Sequence, residues 1–364
     1  LDPRGLSIFV GGLFLIIGFI PLLFYYSTPY GYDVTLFQGT LLESAFLDYK
    51  CGEVCVGPYG ILSMILSLFI PLGIAFGIGI YYYIWSRQLI KIRRRTLDME
   101  REFSGAIFQL GNRVGDGLPV EHAIGNVAQS MQGTPSGDFL RVADTNIRKL
   151  GMSVKEAFFN SERGALLFFP SNLIKSSMKV LVESARRGPL IVAKSLITIS
   201  DYVNRVRAIG ERLKDLLADI LSSMKGQITF LTPMIAGIVV GVTSMMISII
   251  NSLSSLLSGF EQGEAGFGGL GGLQGVLSIL NITDIIPGYQ FQIVVGMFVV
   301  ETGIILSILS NGIENGVDIV SQRYTMSKNL FISIGLYFLI SLVSILVFSI
   351  LAGGVVNVAQ AAGA

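Results

Sequence analysis

Gly79-Ile-Tyr-Tyr-Tyr-Ile-Trp-Ser-Arg-Gln-Leu-Ile-Lys-Ile-Arg-Arg-Arg95 is the point at which the chain changes solvent. An apolar stretch, Tyr59–Trp85, runs into it, and five basic residues, Arg87, Lys91, Arg93, Arg94 and Arg95, follow at once. The clustered Tyr81, Tyr82, Tyr83 and Trp85 carry amphipathic rings suited to the headgroup level, and Lys and Arg stay on the cytoplasmic side of a membrane. The junction therefore reads as the inner end of a transmembrane helix.

Charge segregates outward from that junction. Of 26 Lys and Arg residues, 22 fall between Arg87 and Lys225 together with 14 acids, which leaves 4 bases and 11 acids for the rest of the 364-residue chain. Only 14% of residues are charged and the mean hydropathy is +0.66, whereas roughly a quarter are charged in soluble proteins. The bilayer is the main solvent. A basic inner domain beside anionic headgroups explains the middle of the chain, and nucleic acid is not an expected partner.

Apolar runs at Leu6–Tyr26, Tyr59–Trp85, Ile228–Leu257, Phe291–Ser310 and Leu330–Leu351 are each long enough to cross a hydrocarbon core of about 30 Å. The expected fold class is thus all-α: a polytopic membrane protein with about five transmembrane helices and one cytoplasmic helical bundle. Its parts are 1–85 with an outer loop 27–58, the inner domain 86–227, and 228–364 with a glycine-rich outer loop 258–290. Arg4 lies inside, the last inner loop carries Arg323 and Lys328, and Tyr25, Tyr26 and Tyr289 are expected at headgroup level. The chain opens on Leu1 rather than Met, as a piece or processed product would, and Leu1-Asp2-Pro3-Arg4 lacks a small-residue cleavage site, so the first span reads as a retained anchor.

Gly73 and Gly77, and again Gly237 and Gly241, lie one helical turn apart and let a neighbouring helix approach, within the chain or across a dimer seam. The dense glycines of Gly263–Gly275 read as a mobile outer loop, and Val276–Ile286, apolar but short, reads as interfacial or re-entrant. Cys51 and Cys55 in the first outer loop suit a disulfide staple, and Asn281-Ile-Thr283 is a weak glycosylation sequon.

From Ser86 to Lys225 the period is that of amphipathic helices. Phe103, Ile107, Leu110 and Val114 share one face, and Ile209, Leu213, Leu216, Leu217, Ile220 and Leu221 share another, with charges opposite. Breaks at Gly115-Asp116-Gly117, Gly133–Gly137, Gly151 and Gly188-Pro189 divide the region into five or six helices. The first is expected to continue from the second span and the last to run into the third.

No catalytic constellation emerges. His122, the only histidine, has no second His or Cys near it, and nucleotide, nucleophile-elbow and paired-cysteine motifs are missing. Ser171 and Lys175, four apart, could face one another as a dyad but read better as a solvated helix surface. The expectation is a non-enzyme without cofactor or metal. Glu301, alone inside a span, should face the bundle interior, a watery crevice or a partner, because an acid in lipid is costly.

Four segments are similar to the type II secretion F-domain, the helical module of inner-membrane platform proteins of type II secretion, type IV pili, tight-adherence pili and archaella. They are Gly115–Ile124, Leu150–Phe159, Phe168–Gly188 and Val192–Val203, in the family's order and spacing. Gly117, Leu118, Pro119, Gly151, Glu156, Glu183 and Gly188 match family positions; most read as fold determinants, while Glu183 is open to either a salt bridge or a partner contact. A single copy between two spans and three resembles the archaeal and tight-adherence branches. The resemblance implies a platform coupling a cytoplasmic hexameric ATPase to insertion of pilin or archaellin-like subunits, itself a homodimer or trimer. Arg87, Lys91, Arg93, Arg94 and Arg95 would then grip headgroups or touch the ATPase. A small-solute transporter or channel is the rival, which predicts inverted repeats or broken helices with polar groups at the midplane.

Overall fold

The computed structural model describes residues 3–27, 50–51, 55–58, 60–169, 171–262 and 286–363. Among the described residues the chain is all-α apart from a two-residue antiparallel ladder, β1 (Lys50–Cys51) with β2 (Cys55–Val56). It divides into two compact units, one comprising Leu1–Ser86 and Asp219–Ala364, the other Arg87–Ala218. The second boundary falls at 218, nearer the N-terminus than the expected 227. Gly263–Gly275, Asn281-Ile-Thr283 and nearly all of Val276–Ile286 lie outside the described residues, as does most of the loop 27–58.

Among the described residues, five helical stretches are long and apolar enough to cross a membrane: Arg4–Leu22, Ile61–Gly115, which runs on into the second unit, Ala218–Ile250, Gly288–Asn315 and Ile319–Ala352. This is a multi-pass membrane protein. The helices concerned are α1 (Pro3–Ser27), α2 (Ile61–Ser67) with α3 (Phe69–Gly115), α10 (Ala218–Gly226) with α11 (Thr232–Gln262), α12 (Gly288–Asn315) and α13 (Ile319–Gly363). Leu68 separates α2 from α3 because Pro71 has no N–H to offer the Ser67 carbonyl. A π-helical turn, Gln227–Leu231, joins α10 to α11 just ahead of Pro233, which withdraws a donor from the same turn. Between α12 and α13 only Gly316–Asp318 is non-helical, so Arg323 and Lys328 belong to α13 rather than to a loop.

Both glycine pairs work within the chain. A Cβ on Gly73 would stand 3.0 Å from the Gly11 carbonyl oxygen of α1, and one on Gly237 would stand 2.7 Å from Cγ2 of Ile340 on α13. Leu72, Ala75, Val240, Val300, Leu330 and Tyr337 fill the space between the helices. Polar bonds pin the packing: the Ser67 hydroxyl donates to Gln292 Oε1, the Tyr337 hydroxyl to the Gln292 carbonyl at 3.4 Å, and the Tyr289 hydroxyl to the Gly18 carbonyl at 2.8 Å. In a membrane interior such bonds contribute on the order of 1 kcal/mol each. Tyr289, at the first turn of α12, is fully buried, because its hydroxyl finds an acceptor on α1.

The second unit holds the last turns of α3, then α4 (Val120–Ser130), α5 (Pro135–Leu150), α6 (Val154–Phe159), α7 (Ala165–Phe168), α8 (Asn172–Ala185) and α9 (Pro189–Leu216). That makes seven helical segments where five or six were expected; α6 and α7 are too short to show a period. Phe103, Ile107, Leu110 and Val114 all enter the core, where Phe139 meets Phe158 at a tilt of 30° and Phe169 edge-on at 84°, with centroid distances of 5.6 and 5.7 Å. The expected apolar face of α9 does not. Ile209, Leu213 and Leu216 are exposed, as is Ile220 on α10, and of that set only Leu221 is buried. The core face of α9 is instead Val192, Leu196, Ser200 and Val203, nearer its start.

Candidate functional site

Gly117, Leu118, Pro119, Gly151 and Gly188 sit at or beside helix ends. Gly117 follows α3 at φ +93°, Leu118 packs against the core, and Pro119 stands just before α4 with its carbonyl accepting from Ala123 N at 2.9 Å. Gly151 ends α5 in the left-handed conformation, φ 64° and ψ 23°, which an L side chain resists by about 1–2 kcal/mol. Gly188, at φ 105° and ψ 158°, turns the chain between α8 and α9, with Pro189 opening the next helix. These are fold determinants.

Glu156 belongs to the same class. It closes a capping box on α6: its Oε2 accepts from the Ser153 backbone N–H at 3.0 Å and from the Ser153 hydroxyl at 2.9 Å, while Glu156 N donates back to Ser153 Oγ at 3.3 Å. The Ser153 backbone bond first, then the hydroxyl bond, hold its carboxyl below the ordinary value of 4.5.

Glu183 behaves differently. It is exposed on α8 and makes no ion pair or hydrogen bond among the described residues, so the salt-bridge reading fails. One turn before it Val180 opens onto a groove of about 430 Å³ shared with Leu190, Ile191, Lys194 and Thr198 of α9. Leu190 is 79% and Ile191 46% exposed, so the groove has an uncovered apolar wall. The sequence signal was there, as an apolar pair directly after a Gly-Pro turn, but its facing was not.

A second cleft, about 720 Å³, opens in the same unit, lined by Arg93, Glu100, Asn160, Leu167, Ser171 and Lys175 among others. Ser171 caps α8 by accepting from Ile174 N and donates to Glu100 Oε1 at 2.5 Å; it does not engage Lys175, which is exposed, and no dyad exists. Arg95 leaves the basic series, pairing with Asp138 at 3.3 Å and lying 5.7 Å over the Phe169 ring. Arg87, Lys91 and Arg94 are exposed, whereas Arg93 is partly buried in the cleft wall.

On α9, the exposed Tyr202, Val206, Ile209, Leu213 and Leu216 recur at alternating spacings of four and three residues. That is the heptad spacing of a coiled-coil seam, here exposed.

In the membrane unit, Glu301 stands at the centre of α12, about 20 Å from either end at about 1.5 Å per residue. It is exposed, on a face with Val294, Phe298, Ile305 and Ile308, and has no hydrogen bond or ion pair among the described residues. The bundle interior is therefore not its environment. Cys51 and Cys55 stand opposite one another in the β1–β2 ladder. His122 is exposed, and among the described residues no three His, Cys, Asp or Glu side chains gather as metal ligands. No family model, no curated protein and no solved structure matches the chain.

Proposed function

We propose that this chain is a non-enzymatic inner-membrane platform for assembling type IV pilus-like filaments, whether pilus, archaellum or type II secretion pseudopilus. In this reading the unit Arg87–Ala218 is cytoplasmic and receives a hexameric ATPase, and the membrane bundle receives pilin or archaellin-like subunits.

The observation that supports it most is local. Each F-domain-like glycine or cap ends a helix of one compact unit inserted between the second and third spans, and the corner after Gly188 leaves Glu183, Leu190 and Ile191 open to a partner. Apolar side chains with a charge at the rim suit a protein surface. The unpartnered α9 seam supports self-association, since two copies of one heptad stripe are complementary by symmetry. Glu301 supports subunit handling: a carboxyl on an apolar helix face is costly against lipid and is relieved by a partner helix bringing a donor or a cation. The transporter reading gains nothing from a mid-membrane acid that lines no interior path.

The test is capture of a hexameric secretion ATPase from the same organism by the whole protein in detergent. Wild type should retain it and Leu190→Asp with Glu183→Arg should not, while Arg113→Gln, exposed elsewhere on the unit, should. Equal capture by all three, or solute flux through vesicles holding this protein alone, would count against the platform reading.

A further inference from the structure

A cleft of about 660 Å³ opens in the membrane unit, with walls from α1, α3, α12 and α13. Its walls are apolar over most of their length: Gly77 and Ile78 on α3, Ile304 and Ile308 on α12, Met326 on α13. Polarity is confined to Ser7, Tyr81, Tyr82, Gln322 and Arg323. Tyr81 and Tyr82 belong to the aromatic cluster that precedes the basic residues of α3, so this end lies at headgroup depth.

Arg323 is held in an unusual way. Its guanidinium carbon lies 4.5 Å over the Trp85 ring and 5.5 Å over the Tyr82 ring, which fixes the plane of the fork by cation–π attraction. No described carboxylate forms an ion pair with it. The nearby Asp318 points its Oδ1 at the start of its own helix, accepting from Val320 N and Ser321 N at 3.2 Å each. Stacking occupies the faces of a guanidinium and leaves its N–H edge available, and that edge matches the paired oxygens of a phosphate. Arg4 lies one turn before Ser7 on α1 and adds a second cation on that helix.

We propose that this cleft binds an anionic phospholipid, with the headgroup phosphate on Arg323 and an acyl chain along Ile78, Ile304 and Ile308. A free anion would leave the apolar wall uncovered, and a neutral hydrocarbon would leave a stacked, unpaired cation beside it; a phospholipid satisfies both. The inference is independent of the platform reading, because it concerns only the packing of the spans.

The test uses the full chain in nanodiscs of equal phosphatidylglycerol and phosphatidylcholine, followed by native mass spectrometry of the lipids it keeps. Wild type should keep phosphatidylglycerol preferentially. Arg323→Gln should lower that preference roughly five- to tenfold, Arg323→Lys should fall between, and Lys328→Gln, exposed on the same helix, should match wild type. Ile308→Trp keeps the cation but fills the wall, and should lose bound lipid while its melting temperature in lipid-free detergent, where no lipid can stabilise either protein, stays that of wild type, which separates lipid loss from misfolding. An unchanged preference in Arg323→Gln, an equal loss in Lys328→Gln, or full retention in Ile308→Trp would overturn the proposal. So would Arg323-dependent stabilisation by inorganic phosphate as strong as by phosphatidylglycerol, or a photo-crosslinker at Ile308 that captures a protein instead of lipid.

Discussion

Two glycines of one helix should respond to the same substitution with opposite signs. Gly188 stands immediately before α9 and Gly210 within it, and a Cβ added at either place meets no atom within 4 Å. Crowding is therefore the same, none, and only backbone conformation distinguishes them. Gly188 holds φ 105° and ψ 158°, a region that L residues occupy at a cost of about 1–3 kcal/mol. Gly210 is helical, where alanine is better than glycine by about 1 kcal/mol. At about 1.4 kcal/mol per tenfold, Gly188→Ala should speed amide exchange in the α8–α9 corner by roughly thirtyfold, and Gly210→Ala should slow exchange in the surrounding turns of α9 by roughly fivefold. Hydrogen–deuterium exchange with peptide-level mass spectrometry of the whole protein reads both at pH 7 and resolves the corner from the membrane helices. Equal effects at the two sites, or protection in Gly188→Ala within threefold of wild type, would refute the assignment of Gly188 as a conformational requirement and reopen it as a contact residue.

Phe139→Ala removes the central ring of the Phe139, Phe158 and Phe169 group and should cost about 3–5 kcal/mol, seen as protease cleavage within 87–218 at concentrations that leave wild type intact. The capping box makes α6 pH-dependent: because the Glu156 carboxyl is lowered in the folded state, its contribution is complete above the ordinary glutamate value and is lost as the solution falls through the folded value. Exchange protection of α6 should therefore fall on acidification below pH of about 4.5, and Glu156→Gln should abolish that step. Leu213→Asp should convert any self-associated form to a lighter one by light scattering in detergent while leaving the core of 87–218 protected, since Leu213 is exposed. Cys51 and Cys55 are directly opposite in the ladder, a spacing that suits a disulfide; maleimide should label them only after reduction, and labelling of the untreated protein would exclude the bond.

Local chemistry carried much of this structure. The five spans follow from runs of apolar residues and require no knowledge of neighbours. Helix ends were equally legible, because a cap or a positive φ is settled within four or five residues: Thr134 with Pro135, Ser153 with Glu156, Gly151, and Gly188 with Pro189. The core face of α3 was readable for the same reason, its period being uninterrupted through Phe103, Ile107, Leu110 and Val114. The short α6 and α7 were not, since a helix of one or two turns has no period to read.

What the sequence determined by itself was solvent and segment: which stretches live in lipid, which carry the basic charge, and where several of the helices between the second and third spans start and stop. Only the tertiary structure decided how each helix is rotated about its axis. It turned Glu301 outward, buried Tyr289 against Gly18, tied Arg95 to Asp138, set the α9 stripe facing outward, and laid Arg323 on Trp85. The reason is that rotation is fixed by side chains far away in the chain that claim one face and leave another, and a helix with apolar residues on more than one face offers several rotations of similar local energy.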